Sequence, residues 1–280
     1  MPRLVGPASV SVFIALTGIS YGLRINANPL PVPIFPILTI VFITSGSIIV
    51  SYIAARAYLK RGIPAMLLLG SGSLIFGSTS LVAALAAGPE GSNPATTVFV
   101  VGAILSSASH LSCAASRFFR SPNRRGSRSL VIMTLTAALL LASSVTVVAF
   151  QGALPTFLVP DAGITAIAKG LLAVAITTFT LASMLIAVSS SRSDILYWYS
   201  CALAMTAVGL AGVLLSDWIF ETVVFWVGRI ALCVGGAFLV LSVRAAERAA
   251  ALPGSVVAEL FKTTVTAPPD LRSESNIPAT

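Results

Sequence analysis

Arg229 is the full charge that lies well inside an apolar run of this chain, and it is the first candidate for chemistry. It stands about seven residues past the start of the last apolar run, roughly 10 Å deep at the rise of a helix. A charge near the centre of a bilayer costs at least about 2.5–3.5 kcal/mol on insertion scales. Helical side chains lean toward the N-terminus, so Arg229 can snorkel outward toward Asp217 or Glu221. The three residues read either as a structural anchor or as a ligand-facing group.

The sole histidine and the three cysteines form a second candidate set. His110 and Cys113 sit one turn apart, and counting along the runs places Cys201 and Cys233 at a comparable depth. Such a layer of one imidazole and three thiols would suit a soft metal or an oxidant-sensing role. Against it, cysteine is commonly a small buried hydrophobe, and a lone histidine usually finds a packing partner. One histidine excludes a bis-histidine haem within the chain. No cofactor is expected. The chain has no phosphate-binding Gly-x-x-x-x-Gly-Lys loop, no His-Glu-x-x-His and no Gly-x-Ser-x-Gly elbow. With so few acid–base groups, an enzyme is not expected.

The elements that must position these groups are set by composition. Only 9% of the 280 residues are charged, 56% are hydrophobic, and the mean hydropathy is +0.97. Soluble domains carry about 25% charged residues, so most of this chain must be solvated by lipid. Eight apolar runs are long enough to cross a bilayer, which takes about 20 residues. They fall at roughly 4–23, 35–55, 64–87, 97–116, 130–150, 165–190, 195–215 and 222–243. They are too long for barrel strands and do not alternate in polarity. The expected fold is an all-α integral membrane bundle of about eight helices over residues 1–243. It has seven if the first run, behind Arg3, is a cleaved signal. Residues 244–280 form a tail, helical at its start and then rich in Pro, Ser and Thr, which predicts disorder.

The net charge of +8 does not point to nucleic acid, because the basic residues lie in short loops between the runs. With the N-terminus inside, Arg3, Arg56, Lys60, Arg61, Arg117, Arg120, Arg124, Arg125, Arg128, Arg192, Arg244 and Arg248 are all cytoplasmic. Only Arg24 and Lys169 fall outside. That bias predicts a cell-membrane protein with a cytoplasmic C-terminus. The basic loop 117–128 would also touch anionic lipid head groups.

Small residues mark faces for close helix packing. Gly70, Ser73, Gly77, Ser80 and Ala84 draw one stripe on the third run. Gly102, Ser106, Ser109 and Cys113 do so on the fourth, and Gly228, Ala231 and Gly235 on the eighth. Ordinary packing explains them. A face that slides during signalling would use the same pattern.

The stretch Ala55-Arg56-Ala57-Tyr58-Leu59-Lys60-Arg61-Gly62 is followed by Leu67-Leu68-Leu69-Gly70-Ser71-Gly72 and Leu74-Ile75-Phe76-Gly77. A loop with Asn93-Pro94-Ala95-Thr96-Thr97 and the run holding His110 come next. Together with Gly228-Arg229 and Gly235-Gly236, these resemble the multi-pass sensor regions at the N-terminus of some bacterial and archaeal histidine kinases. The resemblance implies sensing of a signal and its passage through the last span to an output module. The 244–280 segment is too short for such a module, which typically takes 50–250 residues. The expectation is therefore a non-enzymatic sensor-like protein signalling to a separate cytoplasmic partner. A small-solute transporter or channel subunit is the alternative.

Overall fold

The computed structural model describes residues 4–24, 34–87, 92–116, 126–159, 162–188, 194–217 and 222–251. The first helix, α1, spans Val5–Gly22. The second crossing begins as α2 (Ile34–Leu38), passes through a π-helical segment (Thr39–Thr44) and continues as α3 (Ser45–Arg61). Then come α4 (Pro64–Ala86), α5 (Asn93–Ala115) and α6 (Arg128–Phe150). The short strands β1 (Leu158–Val159) and β2 (Gly163–Ile164) precede α7 (Ala166–Val188), α8 (Asp194–Leu215) and α9 (Val223–Ala251). Eight helical crossings are long and apolar enough to span a membrane, so the chain is an all-α multi-pass membrane protein.

Local chemistry sets the helix ends. Gly62 takes the left-handed conformation (φ 67°) that terminates α3, and Pro64 starts α4 where its missing N–H costs nothing. Ser92 caps α5 by accepting from Ala95 N–H at 3.2 Å, and its hydroxyl donates back to Ala86 at the end of α4. The Asn93-Pro94-Ala95 motif is thus a helix start. Asn93 Oδ1 also accepts from Phe157 and Leu158 N–H at 2.6 and 3.1 Å, tying the β-hairpin to α5.

The helices arrange in two tiers. More than half of the spanning windows of α4, α5, α8 and α9 is buried, against 17% for α1 and α6. α6 turns small residues inward (Ala138, Ala142, Ala149) and leaves Ile132, Met133 and Leu140 exposed. That inversion of a water-soluble pattern is expected where lipid is the solvent and close van der Waals approach drives packing.

The glycine faces place the backbones in contact. A Cβ on Gly70 would meet Ala54 and Ser51 at 3.3–3.5 Å, and one on Gly77 would collide with Ser47. The third-run stripe therefore packs on α3. Ser51 donates to the Gly70 carbonyl at 2.7 Å and Thr44 to Gly77 at 3.3 Å. The fourth-run stripe packs on α4, with Gly102 against Thr79 and Ser109 against Gly72. α8 and α9 cross most tightly: a Cβ on Gly228 would lie 2.8 Å from Gly209 O and 3.0 Å from Gly212 Cα. Gly235 continues that contact on Ala202 and Thr206.

Two departures from the sequence expectation have physical causes. The second crossing outruns its apolar stretch, to Arg61. Lys and Arg are good helix formers, so hydropathy ends before the helix does. The loop before α7 also folds into an antiparallel hairpin, Leu158 opposite Ile164, with Gly163 at φ 80° and three buried apolar side chains, Phe157, Leu158 and Ile164. Two-residue strands give no periodicity to read.

Candidate functional site

Arg229 is 3% exposed, six residues into α9. Its guanidinium carbon lies 4.6 Å from the Phe35 ring centroid, 4.7 Å from Phe99 and 5.0 Å from Phe225. The rings come from the first turn of α2, the second turn of α5 and the turn of α9 just before the arginine. Phe35 and Phe225 also pack together at 6.0 Å, and Trp226 stands edge-on to Phe225. A desolvated cation–π contact is worth about 2 kcal/mol. The cage therefore offsets part of the cost, at least roughly 2.5–3.5 kcal/mol, of inserting the charge.

Asp217 is held elsewhere. Its carboxylate takes Lys169 Nζ at 2.6 Å, rather than Arg229. The residue sits in the left-handed region (φ 51°), and a Cβ on Gly163 would come within 3.2 Å of it. Lys169 and Asp217 therefore close the hairpin end of the bundle. Lys169 stands in the first turn of α7, and both partners stay about half exposed, so the pair lies at the surface. Glu221 lies outside the described residues.

The histidine–cysteine layer is not assembled. Among the described residues, no three His, Cys, Asp or Glu side chains gather in a way that could hold a metal. The four side chains face different neighbours. His110 Nδ1 is 2.8 Å from the Tyr199 hydroxyl, and its ring packs at 5.8 Å on both Phe179 and Tyr199. Gly72 leaves room for the far edge of the imidazole, with Nε2 3.3 Å from where a Cβ would stand. Cys113 donates to Ala65 O on α4 at 3.2 Å. Cys201 instead meets α1, where Gly6 crosses beside Tyr197 and Gly6 N–H donates to the Tyr197 hydroxyl at 3.0 Å. Cys233 sits on α9 one turn beyond Arg229, and none of the three cysteines is in a disulfide.

The packing candidates Gly70, Gly77, Gly228 and Gly235 lie at helix crossings, while Ser73 turns its hydroxyl back to Leu69 O. The Ser80 hydroxyl is buried without a hydrogen-bond partner among the described residues. Of the basic loop 117–128, residues 117–125 lie outside the described residues.

Sequence reading missed the three phenylalanines. Phe225 was within reach as the i−4 neighbour of Arg229 on one helix. Phe35 and Phe99 belong to other crossings, and nothing in a single sequence aligns their depths. Also missed was a groove of about 470 Å³ at the opposite end of α9. It is lined by Ile48, Ile49, Tyr52, Ile53 and Arg56 of α3 and by Arg244, Glu247 and Arg248 of α9.

Comparison with known proteins returns no match: no family model, curated protein or solved structure matches the chain. The resemblance to kinase sensor regions gains no support there. What stands is an eight-crossing multi-pass membrane protein.

Proposed function

We propose that the protein is a non-enzymatic membrane sensor, with the Arg229 cage as its input region and the basic end of α9 as its output. One observation carries this reading: α9 is a single helix from Val223 to Ala251 that joins the two. At 1.5 Å per residue its 29 residues reach about 43 Å, further than the roughly 30 Å of a hydrocarbon core. The helix therefore extends past the membrane, carrying Arg244, Glu247 and Arg248 beyond the apolar region. A switch needs a two-state element that a ligand can bias. In this reading the π-helical segment one turn past Phe35 supplies that element by rewinding to α-helix. There, Ser45 takes the Ile40 carbonyl with both its N–H and its hydroxyl, and Gly236 of α9 abuts Phe42 O. Movement at the cage would thus meet α2 and α9 together.

In this reading the basic end is cytoplasmic and meets a separate signalling protein. Reporters fused after Lys60, Ser127, Ser193 and Ala250 should read as cytoplasmic, and those after Gly91, Asp161 and Ser216 as external. The test of function is deletion of residues 249–280 in the full chain. Insertion and folding should persist while capture of the cytoplasmic partner is lost. Full signalling without that segment contradicts the proposal.

A second reading is a small-solute transporter or channel subunit, with the intramembrane charge of Arg229 and the acids Asp217 and Glu221 beside its path. Solute flux in proteoliposomes that survives the deletion favours this reading.

A further inference from the structure

The geometry points to the groove between the basic ends of α3 and α9 as a binding site for one anionic phospholipid, its phosphate against Arg56, Arg244 and Arg248 and its acyl chains along Ile48 and Ile49. The helices that form it are close at one level. A Cβ on Gly46 would lie 3.9 Å from Val240 and 4.0 Å from Gly236 O. Toward the basic end they leave the groove, of about 470 Å³, open between them.

Its lining is zoned along the membrane normal in the order of a phospholipid. Ile48 and Ile49 are 56% and 41% exposed on the apolar side, and Ile53 forms the buried floor. Tyr52, 60% exposed, stands one turn nearer the end, at the level that amphipathic rings take between hydrocarbon and water. Arg56 is one turn further, about 12 Å beyond Ile48 along the helix. Arg244 and Arg248 face it from α9 as an i, i+4 pair.

Charge completes the case. Three arginines share the rim with one carboxylate, Glu247. That acid reaches Arg56 at only 3.6 Å, longer than a hydrogen bond, and both side chains stay about half exposed. Arg56 also lies 5.7 Å from the centroid of Tyr52, directed along the groove. The rim retains a net positive charge, and arginine forks suit phosphate oxygens. A zwitterionic lipid would bring a choline against that surplus. A soluble phosphate would leave the isoleucine face uncovered. The site stands whether the protein senses or transports.

The intact chain in detergent, mixed with phosphatidylglycerol or phosphatidylcholine and examined by native mass spectrometry, tests this. One phosphatidylglycerol should be retained per chain, with roughly tenfold preference over phosphatidylcholine. Replacing Arg56, Arg244 and Arg248 together by Gln should abolish the preference. Arg24→Gln, at the far end of α1 and outside the groove, should leave it intact. Ile48→Trp, which fills the groove without changing charge, should weaken retention and serves if the triple variant is poorly folded. Equal retention of the two lipids, or unaltered retention in both groove variants, overturns the proposal. So does glycerol phosphate displacing the lipid at similar concentration, or an acidic peptide binding the groove where the lipid does not.

Discussion

Arg229 and the arginines of the α3–α9 groove, two of which share its helix, sit in opposite circumstances. Arg229 is 3% exposed and surrounded by the rings of Phe35, Phe99 and Phe225. Arg56 is about half exposed and touches its acid only loosely. A guanidinium inside the bundle needs its surroundings fixed in place, from three crossings at once. One at the rim keeps water and head groups within reach, so its neighbours can stay sparse and exchangeable. The buried arginine should therefore control the shape of the bundle, and the rim arginines what the bundle binds.

The sharpest break of that contrast is at the backbone beneath the cage. Gly228→Val drives a branched side chain into Gly209 O and Gly212, and must push α9 off α8. Overpacking costs about 1–3 kcal/mol and occasionally more, and two facing backbones that cannot give place this one at the upper end, read as a large fall in melting temperature in detergent. A variant that melts with wild type would mean that the two helices do not cross there.

Phe99→Ala removes one wall of the cage and should cost on the order of 3 kcal/mol. Phe99→Leu restores most of the volume but not the ring, and should lose about 1 kcal/mol. Phe99→Leu melting with wild type while Phe99→Ala falls would show that only volume matters and that the cation–π contact contributes nothing.

Arg56→Gln should change stability by less than about 1 kcal/mol, because exposed ion pairs contribute little. Its effect belongs instead in anionic-lipid retention. A destabilisation as large as that of Phe99→Ala would erase the distinction between cage and rim.

The sequence made one half of this contrast easier to see than the other. Charge scarcity, run length and the small-residue stripes made the eight crossings and the Gly70–Gly77 face legible, since each is a property of one helix. Arg229 stood out for the same reason. Its cage did not, because Phe35 and Phe99 reach it from distant parts of the chain. Counting along the runs misled for His110, Cys113, Cys201 and Cys233, because it fixes neither the level nor the direction of a side chain: Gly235 packs on Ala202 and Thr206, which sets Cys233 nearer the Arg229 end than Cys201. The groove stayed hidden because helix α3 continues for two turns past its apolar stretch, and hydropathy alone ended the crossing near residue 55.

The central claim is that the cage at one end of α9 sets the position of its other end. Spin labels at Lys60 and Arg248, in a background with the three cysteines replaced by alanine, report the distance between the basic ends of α3 and α9. Measured in lipid nanodiscs by pulsed electron paramagnetic resonance, Arg229→Leu should shift that distance by about 2 Å or add a second population, as interface helices do in switching proteins. Superimposable distance distributions for Arg229 and the leucine variant would contradict the claim.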